Sequence, residues 1–285
     1  MKTTSFRFGD CRVVIVLLLI LCGSRQAKSA DSIGVVDPLT ATWYLRGSAS
    51  GTAATSSFAY AAAHWTPITG DWAGTGADTV GVVDPNTETW YLRNSNSTGA
   101  PNETFQYGNP GWTPVAGNWT GGVADGIGLF DPTTANWYLR NTASAGTPNS
   151  VFHFGAPNWV PIAGDWTGTG TDGIGVFDPT TATWYLRNSA SAGTPDIQFQ
   201  FGAPGWIPIV GDWTGNGTDD IGVFDPNTAT FYLRDTNTAG PPDITIQFGL
   251  PGFDPVAGDW ELVPEPSSAA LIIFAGVLLY GKRKR

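Results

Sequence analysis

Four segments of this chain set oxygen-bearing side chains at intervals along a glycine-rich turn, a spacing that could hold a hard cation. The fullest run from Asp165 to Asp172 and from Asp212 to Asp220, with counterparts starting at Asp71 and Asn118. Calcium takes roughly six to eight oxygens, several of them carboxylate. The third and fifth loop positions are Ala73 and Thr75, Thr120 and Gly122, Thr167 and Thr169, or Thr214 and Asn216, so each loop keeps at most two or three carboxylates. Candidate ligands are therefore Asp212, Asn216, Asp219 and Asp220, then Asp165 and Asp172. The competing expectation is a turn whose Asp and Thr side chains bond their own backbone.

Other chemistry is sparse. His64 and His153 are the only histidines, and neither recurs with the period described below. Cys11 and Cys22 are the only cysteines, and there is no zinc spacing or phosphate-cradling loop before a helix. Carboxylates meeting from different repeats could hydrolyse glycosides, but that chemistry needs an asymmetric site and the repeats are near copies. The acids outside the recurrent columns, Glu88, Glu103, Asp196, Asp243 and Glu261, are scattered over loop positions. The expectation is a protein that is not an enzyme. Recognition has better material: Trp112, Trp159 and Trp206 follow Gly-rich turns, with Asp131, Asp178 and Asp225 of the Asp-Pro turns expected on the same face. Aromatic planes flanked by polar groups suit sugar rings, whose C–H faces stack while the hydroxyls are bonded.

These residues recur because the chain does. The Asp-Pro step falls at Asp37, Asp84, Asp131, Asp178 and Asp225, a strict period of 47 residues. Such a period marks a solenoid, propeller or array, whose units bury their apolar faces against one another. Each period reads as four short strands, here 112–119, 126–130, 137–140 and 151–155, separated by Gly, Pro and Asn. The chain enters at Asp31 with the second strand of a unit and leaves at 253–260 with a first strand. A closed ring uses those ends to complete one unit, whereas an open stack needs polar caps. The sequence thus predicts an all-β fold, a five-bladed β-propeller over 31–261 with blades at 65–111, 112–158, 159–205 and 206–252. The closing blade joins 253–260 to 31–64. Trp43, Trp90, Trp137, Trp184 and Phe231 form one aromatic column, expected to be core. Arg46, Arg93, Arg140, Arg187 and Arg234, nine residues after each Asp-Pro aspartate, are expected to form a repeated ion pair across the hairpin or to the next blade.

Both ends read as processing segments. Residues 1–29 carry Lys2, Arg7 and Arg12, an apolar run Val13–Cys22, and small residues Ala27 and Ser29 before a cut: a secretory signal peptide. Its removal takes both cysteines, leaving an exported domain that its core alone must hold. Residues 31–263 hold five arginines and no lysine against 22 acids, a net charge of −17, which argues against nucleic acid as a partner. After 262 the chain reads Pro264-Glu265-Pro266, an apolar run 269–280, and a basic end Lys282–Arg285, which favours a C-terminal membrane segment with the repeats outside.

This tail resembles the PEP-CTERM sorting signal of Gram-negative bacteria. The resemblance implies processing by an exosortase-type enzyme and delivery to the cell surface or extracellular matrix. The Gly-rich loops resemble the calcium loops of FG-GAP and VCBS-like propeller repeats, which implies calcium as a possible but not required ion. The resulting expectation is a non-enzymatic surface propeller that binds or scaffolds polysaccharide or another surface ligand. A glycan-cleaving enzyme and a passive envelope scaffold are the alternatives.

Overall fold

The computed structural model describes residues 30–49 and 54–260. The expected signal peptide and the expected sorting tail both lie outside the described residues. Among those described, no helix is long and apolar enough to cross a membrane. The regular structure is twenty strands in five antiparallel four-stranded sheets. The sheets, inner strand first, are as follows, numbered in chain order. Blade one is β20 (Asp254–Gly258), β1 (Ser32–Asp37), β2 (Thr42–Arg46) and β3 (Ala54–Ala59). Blade two is β4 (Thr66–Gly70), β5 (Thr79–Asp84), β6 (Thr89–Leu92) and β7 (Glu103–Gln106). Blade three is β8 (Thr113–Gly117), β9 (Gly126–Asp131), β10 (Asn136–Arg140) and β11 (Ser150–His153). Blade four is β12 (Val160–Gly164), β13 (Gly173–Asp178), β14 (Thr183–Arg187) and β15 (Ile197–Gln200). Blade five is β16 (Ile207–Gly211), β17 (Asp220–Asp225), β18 (Thr230–Leu233) and β19 (Ile244–Gln247).

The inner strands β4, β8, β12, β16 and β20 touch in turn around the axis, so the sheets close into a five-bladed β-propeller. Closure is made as the phase of the chain requires. β20 pairs antiparallel with β1, Ser32 facing Gly258, Gly34 facing Val256 and Val36 facing Asp254. Radial closure of this kind leaves only short sheet edges.

The second strand of each blade is covered on both faces by its neighbours and is apolar almost throughout, as Gly-Ile-Gly-Leu-Phe-Asp in β9. Its central glycine makes room for the leucine of the third strand. A Cβ at Gly128 would come 2.5 Å from Leu139 Cδ2. The aromatic column on the third strand is core: Trp43, Trp90, Trp137, Trp184 and Phe231 are wholly buried. Each indole N–H of Trp90, Trp137 and Trp184 donates to a carbonyl just past the fourth strand, Tyr107, Phe154 and Phe201, at 2.9–3.0 Å. Burial and polar satisfaction thus coincide, and the outer strand is tied to the core.

The periodic arginines correct the expectation of a repeated ion pair. Arg93, Arg140, Arg187 and Arg234 turn onto the loop between third and fourth strands, donating to the carbonyls of Ala100, Thr147, Thr194 and Pro241. Hydroxyls of Ser97, Ser144, Ser191 and Thr238 complete the hold. A five-donor guanidinium can satisfy several loop acceptors at once. Arg46 lies over the Phe248 ring, 5.1 Å from its centre.

Candidate functional site

The rim at the Asp-Pro end is built by two turns that meet. The backbone N–H groups of His64, Asn158, Gly205 and Gly252 donate to the carbonyls of Pro38, Pro132, Pro179 and Pro226, at 2.8–3.1 Å. That contact seats the residue that follows, Trp65, Trp159, Trp206 or Phe253, beside the Asp-Pro turn. His64 and Asn158 take positive φ of 64° here, where other blades use Gly111, Gly205 and Gly252. His64 therefore fills a recurrent backbone position, and His153 stands where Gln106, Gln200 and Gln247 stand.

Trp112, Trp159 and Trp206 are half-buried, as their position beside the turns predicts. Each stacks on a tyrosine of its own sheet: Trp112 on Tyr138 at 4.3 Å, Trp159 on Tyr185 and Trp206 on Tyr232 at 4.6 Å. Trp65 on Tyr91 at 4.6 Å and Phe253 on Tyr44 at 5.9 Å complete the ring of five stacks. The Trp206 stack borders a groove of about 430 Å³, with Ala182, Phe201 and Pro204 on its walls and Thr181 and Gln200 as polar groups.

The expected polar partners are differently placed. Asp178 lies on the turn beside Trp206, and Asp131 on the turn beside Trp159, but the turn of Asp225 adjoins Phe253. The carboxylates are also turned inward. Asp131 accepts from Thr133 N at 2.9 Å and from the hydroxyls of Thr133 and Thr134. Asp178 does the same with Thr180 and Thr181, and Asp225 with Asn227 and Thr228. The Thr134 bond leads in holding the Asp131 carboxyl below the usual range. At Asp178 and Asp225 burial pushes upward, and the turn bonds outweigh it. These three aspartates shape the turns that carry the rim.

Beside Trp112 the neighbouring turn is that of Asp84, and it carries an acid the sequence hid among loop residues. Glu88 is the single departure from alanine at a position otherwise held by Ala41, Ala135, Ala182 and Ala229, all at positive φ. It is 1% exposed, and its Oε2 is buried without a hydrogen-bond partner. Burial raises its carboxyl to about 7, with Asp84 adding to that and the Gly111 N–H opposing it. The one signal available was the break in an alanine column.

At the opposite end the blades surround an axial mouth of about 880 Å³ lined with carboxylates. Here Asp172 and Asp219 do not serve their own loops. Asp172 Oδ2 accepts Asn118 N–H at 2.8 Å, and Asp219 Oδ2 accepts Asp165 N–H at 2.7 Å. Asp125, Asp31 and Asp78 treat Asp71, Asp212 and Asp259 likewise at 2.8–2.9 Å. The carbonyls of Asp71, Asn118, Asp165, Asp212 and Asp259 accept the return N–H bonds, so five reciprocal clamps join neighbouring blades. Burial first, then Asp78 and Asp172, push the Asp125 carboxyl well above its usual range.

The remaining loop oxygens close on the loop itself. Asp212 accepts Asn216 N–H at 3.0 Å and Gly217 N–H at 2.7 Å, and Asn216 Oδ1 accepts Thr218 N–H. Asp165 likewise accepts from Thr167 and Gly170. Of the six proposed ligands, only Asp220 leaves a buried oxygen, Oδ2, unpartnered. Among the described residues no three acidic, imidazole or thiol groups gather as a metal cluster. In this arrangement the loop carboxylates of Asp165 and Asp212 are taken up by N–H groups of their own loops. The clamp itself is testable: Asp172→Ala strands the Asn118 N–H and should lower stability by about 1–3 kcal/mol in urea unfolding. An unchanged midpoint would deny the clamp any weight.

No family model and no curated protein matches this chain. Among solved structures it is similar to an Agrocybe aegerita lectin described as specifically recognising non-reducing terminal N-acetylglucosamine. That likeness has 16% identity and a TM-score of 0.40, covering 61% of this chain and 50% of the lectin chain. It is also similar to the V. cholerae biofilm matrix protein Bap1, with 17% identity and a TM-score of 0.34, covering 78% of this chain and 36% of that one. The chain thus spans half or less of either relative, and neither likeness carries an argument about ligand or site.

Proposed function

We propose that this chain is a non-enzymatic propeller of the cell surface or extracellular matrix that binds polysaccharide through its Asp-Pro rim. The observation that carries this reading is the ring of half-buried aromatic stacks, with an open apolar groove bearing Thr181 and Gln200 at Trp206. A tyrosine holds one side of each indole, so the ring is already ordered when a sugar face meets it. Weak equivalent contacts around a ring convert to useful avidity when the target is itself a repeating polymer. Sugar stacking asks nothing of calcium, and none is required. The export signal in 1–29 and the tail 262–285, with its exosortase-type processing and membrane segment, supply the route outward in this reading.

The test changes Trp112, Trp159 and Trp206 together to Ala and follows both folding and retention on immobilised polysaccharide. A folded variant is expected to lose at least most of its retention. Full retention by a folded variant places the sites elsewhere; a variant that unfolds assigns these indoles to the core.

A further inference from the structure

Blade one leaves a cavity of about 280 Å³ against blade five, at the end away from the Asp-Pro rim, for Asp31 and Asp259 line both this cavity and the axial mouth. Its wall holds buried polar groups that the other blades satisfy and this one does not. Arg46 is 1% exposed, and among the described residues its Nε and Nη2 have no hydrogen-bond partner. Nε is open in Arg93, Arg140 and Arg234 as well, but their Nη2 atoms donate to the hydroxyls of Ser97, Ser144 and Thr238. Arg187 holds the Ser191 hydroxyl with both nitrogens. Of the five arginines, Arg46 alone keeps that whole edge open.

Trp260 departs from its column in the same way. The indoles of Trp72, Trp119, Trp166 and Trp213 donate to the second-strand carbonyls of Thr79, Ile127, Ile174 and Ile221 at 3.1–3.2 Å. Trp260 Nε1 is buried with no acceptor, and so is Ser32 Oγ with no partner of either kind. Both residues lie on the wall that bears Arg46, and they are 7% and 3% exposed. Gly47 completes that side without a side chain, at the repeat position of Asn94, Asn141, Asn188 and Asp235.

Nε–H and the adjacent Nη2–H form the edge of a guanidinium that grips a carboxylate with two parallel bonds. Arginine cannot shed its charge, so leaving that edge buried and unpaired is costly and a carboxylate there relieves it. The other walls say what else the ligand carries. Trp213 and Ile244 of blade five offer apolar surface. Asp259 and Asp31, whose Oδ2 already accepts Asp212 N–H, oppose a bare anion but accept from hydroxyls. The volume is at the small end for ligand pockets and suits one sugar ring rather than a chain. We propose that this cavity binds a single uronic acid unit, its carboxylate on the Nε/Nη2 edge of Arg46. Trp260 and Ser32 donate to its oxygens, and its hydroxyls donate to Asp31 and Asp259. The site is separate from the rim and does not depend on it.

The test is calorimetric titration of the full chain with galacturonate, beside galacturonamide, which keeps the shape and loses the charge. The unaltered protein should bind the acid at least about tenfold more tightly than the amide. Arg46→Lys keeps a cation without the two-donor edge and should weaken galacturonate by roughly tenfold or more. Trp260→Phe removes one neutral donor and should weaken it about two- to tenfold. Equal affinity for acid and amide, or no response to millimolar galacturonate, overturns the proposal and leaves these donors to buried water. Unchanged affinity in a folded Arg46→Lys overturns it as well; if that variant does not fold, the comparison of acid with amide in the unaltered protein decides. Trigalacturonate separates the two sources of such a unit: binding equal to that of the monomer assigns chain ends, exclusion of the trimer assigns the free acid, and either upholds the site.

Discussion

Deleting residues 253–260 should abolish the cooperative unfolding transition, while deleting the equally long loop 94–101 should lower its midpoint and leave it cooperative. The deleted strand β20 supplies the whole inner edge of blade one, five paired positions with β1, and the indole of Trp260. Its loss bares the β1 edge beside the axis and leaves β16 and β4 without their shared neighbour. The loop deletion removes acceptors of Arg93 but no sheet pairing. Circular dichroism melts decide it: two transitions of similar height and sharpness would mean that the ring does not depend on closure.

The largest single-residue effect is expected from Trp184→Ala, about 3–5 kcal/mol of stability. This indole is wholly buried, meets Phe177 edge-on at 5.1 Å, and donates to the Phe201 carbonyl at 3.0 Å. Truncation leaves a cavity and a stranded carbonyl together. Trp206→Ala, at a half-buried position on the rim, should cost clearly less. Chemical denaturation of both variants checks the order, and equal losses would mean that the rim column is as much core as the inner one.

The fold was legible because one signal was repeated five times without slippage. Strand positions, blade limits and closure all follow from the period and its phase, and the half-burial of the Trp206 column followed from its place beside Gly-rich turns. Roles that depend on where a side chain turns were not legible. Asp172 and Asp219 look, in one dimension, like the last ligands of their own loops, yet they bond the backbone of the preceding blade at a separation of 54 residues. The arginines looked like ion-pair partners because charge shows in a sequence and carbonyl acceptors do not. Asp131, Asp178 and Asp225 were placed on the right face, but Thr and Asn two and three residues on take up their oxygens. Glu88 could have been found by asking which residues break a column rather than which recur.

The pairing of β20 with β1 also fixes how the ring would bear a pull. Trp260, the last described residue, follows β20 by two positions, so a load applied beyond it enters the innermost strand of a blade. Gly258 faces Ser32 and Asp254 faces Val36, so the force runs along the strand and loads the rungs of that ladder together in shear. The clamp between Asp259 N–H and Asp78 lies ahead of those rungs and takes the strain first. A ring loaded at that end would resist as a clasp, with the peeling direction, from the outer strands inward, turned away from the load.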